Sequence, residues 1–252
     1  MGLILADIPY CGPAPTPVSL SDTWNVDPIA IGLGCVLIAV HWRMRGREGR
    51  WPLGLGVALL AAIFLSPLCA LASALFSARA VHHVLLIAVA APLLALAFPR
   101  AAGRVERLPL GALVGLHAAV LWFWHLPQAY ALGIGGAVPF WTMQVTLLVS
   151  AFALWRRILG PQTAIGPVQL ALLATVVQMG LLGALLTFAP AALYGPHLST
   201  TAAFGMTPLQ DQQLAGLIMW VPAALPYLAV ALLRLGSLLD PDSRGRNPVA
   251  GA

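Results

Sequence analysis

Residues 80–98 read AVHHVLLIAVAAPLLALAF, and this run decides the fold class. It carries no acidic or basic side chain apart from two histidines, and a helix needs about 20 mostly apolar residues to cross the hydrocarbon core of a bilayer. The rest of the chain has the same character. Of its 252 residues, 60% are hydrophobic and 8% charged, whereas a soluble domain carries about 25% charged residues. We therefore expect an all-α, polytopic membrane protein.

Seven segments are long and apolar enough to be membrane spans, and we predict a bundle of seven transmembrane helices within residues 26–236. The segments cover residues 28–42, 52–76, 80–98, 108–126, 137–155, 166–188 and 213–235. Residues 1–25 are expected to form an external segment without regular structure, and residues 237–252 a cytoplasmic tail. Pro67 and Pro92 fall inside spans and are expected to kink them, which membrane helices tolerate when neighbouring groups satisfy the carbonyls set free.

The basic residues predict the orientation. All 13 of them are arginine, and the absence of lysine excludes a P-loop, a pyridoxal Schiff base and a retinal Schiff base. Twelve lie in alternate connections, and only Arg79 lies on the opposite side; the twelve are Arg43, Arg45, Arg47, Arg50, Arg100, Arg104, Arg107, Arg156, Arg157, Arg234, Arg244 and Arg246. By the positive-inside rule the C-terminus is cytoplasmic and the N-terminus faces outward, as in a multi-pass protein of a bacterial-type plasma membrane. The net charge of +5 is thus an orientation signal and does not indicate nucleic acid as a partner.

The polar residues exclude several kinds of chemistry. Every acidic residue lies in a loop or at a span end, which disfavours proton transport through an acidic relay; these residues are Asp7, Asp22, Asp27, Glu48, Glu106, Asp211, Asp240 and Asp242. The chain also shows no paired carboxylates, no glycine-rich phosphate loop and no Ser/His/Asp set. We therefore expect a protein that is not an enzyme.

Histidines are concentrated on the outward side. Of the six, only His41 is placed at the cytoplasmic end; the others are His82, His83, His117, His125 and His197. Polar side chains within a membrane normally face the bundle interior or a cavity. Imidazole together with methionine thioether suits copper, whereas a pair of imidazoles could equally ligate haem iron.

Spacing limits how these histidines can combine. His82 and His83 diverge by about 100° around their helix, so both should not bind one ion. His117 and His125 are two turns apart on one helix, which is too far for a shared mononuclear site. A site must therefore combine His83 or His82 with His125 from another span, with Met219 or Cys69 as further ligands. Other polar or sulfur-containing side chains in the same half could support it: Met143, Gln144 and, on one face of the last span, Gln212 with Gly216 and Met219.

Simpler interpretations account for many of these residues one by one. His117 is expected to make an interhelical hydrogen bond, and Met143, Met179 and Met219 are each more often packing residues than ligands. Asp211 is well placed to be the N-cap of the last span. The three cysteines form no CxxC motif, and Cys35 is expected to be an apolar filler; the other two are Cys11 and Cys69.

Several strings together resemble the polytopic CtaG-type cytochrome c oxidase assembly factors, over about residues 24–235. They are His83-Val-Leu-Leu, Ala91-Pro-Leu-Leu, Trp124-His-Leu-Pro and Asp211-Gln-Gln-Leu-Ala-Gly-Leu-Ile-Met-Trp220. The resemblance implies handling or delivery of copper at the outer face during maturation of haem-copper oxidase, whose subunits would be the partners. It also implies site roles for His83 and His125 and for the last-span motif of Asp211, Gln212, Met219 and Trp220. As we align it, the family usually has histidines where this chain has Arg79 and Gln144.

Three functions therefore follow from the sequence. The first is an assembly factor that handles copper. The second is a haem-binding or electron-transfer membrane protein. The third is a metal-free interaction subunit of a membrane complex, in which the outward polar cluster only joins helices.

Overall fold

The computed structural model describes residues 9–45, 48–98, 108–160 and 163–236, and these ranges contain helices and no strand. The predicted all-α fold class is thereby confirmed. We number the helices in chain order: α1 Pro28–Arg45, α2 Arg50–Leu65, α3 Pro67–Ala74, α4 Phe76–Ala97, α5 Leu110–Trp124, α6 Pro127–Ile134, α7 Ala137–Ile158, α8 Ile165–Thr187, α9 Pro208–Trp220 and α10 Leu225–Gly236. Short 3-10 turns lie at Leu20–Asp22, Gly195–His197, Thr201–Phe204 and Pro222–Ala224.

Within the described residues, four helical segments are long and apolar enough to cross a membrane by themselves. They are α4, α7, α8 and the continuous stretch Pro208–Gly236 formed by α9 and α10. The count rises to six if the bent pairs α2–α3 and α5–α6 each form one span, while α1 is a shorter apolar helix. The membrane character is confirmed, and the count of seven and the orientation of the termini stay predictions.

Some of the predicted features lie outside the described residues. These are the tail at 237–252, the first eight residues of the external segment, and six of the orienting arginines: Arg47, Arg100, Arg104, Arg107, Arg244 and Arg246. In the described part of the external segment, residues 9–25, the one 3-10 turn at Leu20–Asp22 is the only helical element.

The predicted kink at Pro67 is present, and α2 and α3 meet there at 49°. The carbonyls at the end of α2 lose their helical partners at this break, and polar groups near the break replace them. Asn25 donates its backbone N–H to the Leu65 carbonyl at 2.9 Å and its side-chain amide to the Phe64 carbonyl at 3.3 Å. Ser66 donates its hydroxyl to the Ala62 carbonyl. The break is therefore compatible with an apolar surrounding.

α4 runs unbroken through Pro92. Residues Leu85–Ala90, directly before this proline, form a wider π-helical turn, which can accommodate the missing N–H. The indole of Trp155 in α7 donates to the Ile87 carbonyl in this turn at 2.9 Å. A side chain from a neighbouring helix thus satisfies a carbonyl within the π segment, four residues after His83.

α4 is the central helix of the bundle. In its apolar window 61% of residues are buried, against 28 to 39% in the other three long segments. It packs against α2, α7 and α9. Its N-terminal turn, which carries Arg79, and its second and third turns, which carry the adjacent histidines, are therefore enclosed by protein.

Candidate metal centre

A small cavity lies between α4, α5, α8 and α9. Its volume is about 10 Å³, which holds about one water-sized sphere. Two imidazoles and two thioethers line it, from His83, His125, Met179 and Met219. The remaining wall is apolar and consists of Ala80, Val84, Ile87 and Leu121.

His83 and His125 face each other across this cavity. Their ring centroids are 6.1 Å apart and the rings are nearly perpendicular, at 74°. An ion about 2 Å from one nitrogen of each ring would leave the centroids about 5 to 6 Å apart. The observed separation of 6.1 Å lies just above this range, so a small approach of the two rings would let them share one ion. Both rings are shielded from solvent, with His83 3% and His125 6% exposed.

A hydrogen bond fixes which nitrogen of His125 can bind a metal. Its Nδ1 lies 2.7 Å from the Leu121 carbonyl. A carbonyl can only accept, so Nδ1 carries the proton and the lone pair is on Nε2. A metal-binding histidine is typically oriented in this way, by a backbone carbonyl on its other nitrogen.

The sequence around His125 explains why its ring turns into the bundle. Pro127 cannot continue the helix, and the residue before it, Leu126, is extended. α5 therefore ends at Trp124, and α6 leaves at 79°. His125 is the C-cap residue at this bend, and its own carbonyl accepts the Tyr194 hydroxyl at 2.8 Å.

A glycine contact places the two methionines. A Cβ on Gly183 in α8 would lie 2.7 Å from the Gly216 carbonyl oxygen in α9, so the two helices touch through their backbones. Small residues permit this approach between membrane helices. Met179 precedes Gly183 by one turn and Met219 follows Gly216 by one turn. In two antiparallel helices these positions fall on the same side of the contact, which puts both thioethers in the cavity wall.

Asp211 stabilises α4 and does not cap its own helix. Its carboxylate accepts the backbone N–H groups of Phe76 at 2.6 Å and Ser77 at 3.1 Å, together with the Ser77 hydroxyl. The N-cap of α9 is Thr207, in a capping box with Gln210. The prediction that Asp211 caps the last span is therefore wrong. Its negative charge instead lies at the N-terminus of the helix that carries His83, where it is favourable.

The segment between α8 and α9, residues 188–207, packs over the N-terminal end of α4 beside the cavity, and we call it the cavity cover. Tyr194 stacks on Phe76 at 3.9 Å, and the Tyr130 hydroxyl lies 2.6 Å from Nε2 of His197. Gln212 accepts the Leu193 N–H at 2.7 Å, and Thr200 donates to the Ala74 carbonyl. Burial lowers the pKa of His197 to about 4, since its charged form would lose water.

Several of the predicted site residues lie outside the cavity wall. His82 is buried and packs edge-on against Phe64 at 5.0 Å. His117 bonds through Nδ1 to Ser150 in α7 at 3.0 Å, which confirms the predicted interhelical bond.

The other predicted supporting residues also face elsewhere. The Met143 sulfur lies against Gly133, where a Cβ would meet it at 3.0 Å. Gln144 is buried, and neither its amide oxygen nor its nitrogen has a hydrogen-bond partner among the described residues. Trp220 is 42% exposed and packs against Phe188.

Cys69 is not available as a ligand, contrary to one of the predicted combinations. It forms a disulfide with Cys11, with a Cα–Cα distance of 5.3 Å, and both residues are buried. This bond and the hydrogen bond from the Tyr10 hydroxyl to Asp27 at 2.9 Å hold the external segment on the bundle. Cys35 is a free and exposed thiol.

Met179 lies in the cavity wall, although the sequence favours a packing role for it. The local signal for a cavity position is the spacing from the contact glycine: Met179 lies four residues from Gly183, and Met219 lies three residues from Gly216. The described residues contain no group of three or more His, Cys, Asp or Glu side chains that could hold a metal ion. Any ion between the two imidazoles would therefore complete its coordination with thioethers.

Comparison with known proteins places the chain in a family. A scan against protein-family models matches residues 35–240 to the cytochrome c oxidase caa3 assembly factor (Caa3_CtaG). Searches of the curated proteins and of the solved structures found no match. The matched region begins in α1 and covers the four helices around the cavity. The chain therefore belongs to the Caa3_CtaG family of cytochrome c oxidase assembly factors.

Proposed function

We propose that this chain handles copper at the outer face of the membrane during assembly of haem-copper cytochrome c oxidase. The observation that carries the proposal is the small cavity lined by His83, His125, Met179 and Met219. The family supplies the process, since its members are assembly factors of the oxidase. The role would be non-catalytic, with copper as cargo and oxidase subunits as partners.

The residues in the cavity wall favour the monovalent ion. Thioethers are soft ligands that select Cu(I), and imidazole is compatible with it. None of the four cavity ligands would carry a charge, so Cu(I) would be bound without strong electrostatic attraction. That combination suits a carrier that must release its ion.

Two observations support an outward-facing site. The first is the arginine distribution, which predicts seven spans with the N-terminus outside in the plasma membrane. The second is the Cys11–Cys69 disulfide on the same side of the bundle, since disulfides persist in oxidising compartments such as the periplasm. α1 would be the seventh span, because its 18 residues reach about 27 Å.

Cavity size argues against the haem alternative. A drug-sized ligand occupies roughly 300 to 1,000 Å³, and a macrocycle is of that size, whereas the space between His83 and His125 is about 10 Å³. The third function, a metal-free interaction subunit, predicts co-purification with an oxidase and no copper uptake.

Titration with Cu(I) tests the proposal. The purified protein, in detergent and without oxygen, is titrated against a colorimetric Cu(I) chelator. We expect one copper per chain for the wild type and a loss of at least tenfold in affinity for His125→Ala. His117→Ala is the matched control, because His117 is equally buried in the same helix but lies outside the cavity wall. A wild type that takes up no copper, or equal affinities for the two variants, would contradict the proposal.

A further inference from the structure

Arg79 is a charged side chain buried inside the bundle. It lies in the first turn of α4, is 1% exposed, and is among the largest fully buried side chains. Arginine is almost never fully buried without a partner, and it keeps its proton in proteins. A permanent positive charge is therefore enclosed one helical turn before His83.

The described surroundings of the guanidinium give it few polar contacts. Nη2 donates to the Ala72 carbonyl at 3.3 Å, and the guanidinium carbon lies 5.5 Å from the centre of the Phe140 ring. The phenol of Tyr130 is a further polar neighbour, while Nε and Nη1 have no hydrogen-bond partner among the described residues. The carboxylate of Asp211 accepts its hydrogen bonds from Phe76 and Ser77, at the N-terminus of α4.

The charge of Arg79 acts on the cavity ligands. Residues four apart on a helix are neighbours on one face, so Arg79 lies above His83. The Asp211 carboxylate contacts the backbone N–H groups of Phe76 and Ser77, and is therefore farther along the helix from His83 than Arg79 is. The nearer of the two charges at this histidine is thus the positive one.

We propose that Arg79 makes the cavity selective for a monovalent ion over a divalent one. This rests on the copper site proposed above and adds an electrostatic discrimination to the preference that the two thioethers already give. Imidazoles bind Zn(II) and Cu(II) well. The four cavity ligands are neutral, so they do not neutralise any of the charge of a bound ion. A divalent ion therefore meets twice the repulsion from the guanidinium that Cu(I) meets.

The size of the effect follows from Coulomb's law. One additional unit charge about 7 to 10 Å from the guanidinium, at an effective dielectric constant of about 20, changes the relative affinity roughly 15- to 50-fold. The repulsion also weakens Cu(I) binding, but by the smaller amount. Removal of the charge should therefore shift the ratio of the two affinities and not only their absolute values.

The experiment compares two ions in the same full-length protein. Cu(I) and Zn(II) affinities are measured by competition with a chelator specific for each ion, in wild type, Arg79→Gln and Arg79→Met. The second neutral variant keeps the test available if the first is poorly folded. Arg50→Gln is the control, since Arg50 is an exposed arginine at the start of α2.

The expected result is a rise of at least tenfold in the Zn(II)/Cu(I) affinity ratio for both neutral variants and no change for Arg50→Gln. An unchanged ratio with Cu(I) binding intact overturns the selectivity role and leaves the copper site standing. A parallel fall of both affinities shows that Arg79 is only structural. A wild type that binds no Cu(I) overturns both proposals.

Discussion

Gly183 and Gly216 touch through their backbones: a Cβ on Gly216 would lie 2.5 Å from the Gly183 carbonyl oxygen. This contact between α8 and α9 sets the depth at which Met179 and Met219 face the two histidines. The thioether half of the proposed site therefore depends on two residues that have no side chain.

Gly216→Ala should separate α8 from α9. The added methyl group collides with backbone atoms and with Thr187, so something must shift, at a cost of about 1 to 3 kcal/mol. We expect a lower Tm and weaker Cu(I) binding. Gly115→Ala is the control, because a Cβ there meets nothing within 4 Å. Normal Cu(I) affinity in Gly216→Ala would show that the contact does not position the methionines.

Tyr194→Phe should loosen the cavity cover while the ring at position 194 stays stacked on Phe76. The variant loses the hydrogen bond to the His125 carbonyl and keeps the ring on Phe76. One such bond contributes about 1 kcal/mol, which corresponds to Cu(I) release about fivefold faster. Tyr227→Phe should release Cu(I) at the wild-type rate, since the Tyr227 hydroxyl is buried with no hydrogen-bond partner among the described residues. Identical Cu(I) release rates in the two variants would contradict the prediction that the cavity cover slows release of the ion.

Loss of the Cys11–Cys69 disulfide should destabilise the external face. The bond closes a loop with a sequence separation of 58, for which chain entropy gives about 4 kcal/mol. Cys11→Ser with Cys69→Ser should lower Tm but leave Cu(I) stoichiometry unchanged, because neither residue lines the cavity. Cys35→Ser is the control, being a free thiol. Loss of copper in the double variant alone would mean that one of these sulfurs is a ligand.

His197 should make the cavity cover less stable at acidic pH. Its pKa is about 4 in the folded protein, against about 6.5 when unfolded, because burial disfavours the charged ring. The neutral ring stabilises the fold fully above pH 6.5, and this contribution of about 3 kcal/mol is lost as the pH falls toward 4. His197→Gln should therefore show a flatter Tm between pH 6.5 and 4 than the wild type. Parallel curves for the two proteins would contradict this assignment.

The sequence predicted the all-helical membrane character, because long apolar runs report directly on burial in a bilayer; the count of seven spans stays a prediction. It also predicted that His125 would meet either His82 or His83, since helical spacing excluded the pairs His82 with His83 and His117 with His125. The structure places His83 opposite His125. The sequence could not predict how the ends of the helices pack against one another. Asp211 has a partner in α4 that is far away in the chain, and only the fold reveals it.

One local signal marks the start of the last helix better than its apolar run does. That helix begins at Pro208 and not at Gln213, and Thr207-Pro-Leu-Gln210 is itself a capping box with proline in the first turn. The contact beside Pro92 is not local. A π-helical turn precedes this proline, and the indole of Trp155 in another helix donates to a carbonyl within the turn.

X-ray absorption at the copper edge of the Cu(I)-loaded protein identifies the ligands of the bound ion. We predict two nitrogen ligands at about 2.0 Å and one or two sulfur ligands at about 2.3 Å. The sulfur contribution should diminish in a Met179→Leu and Met219→Leu double variant, and the nitrogen contribution in His125→Ala. A copper shell made only of nitrogen and oxygen, or one that none of these substitutions changes, would contradict it.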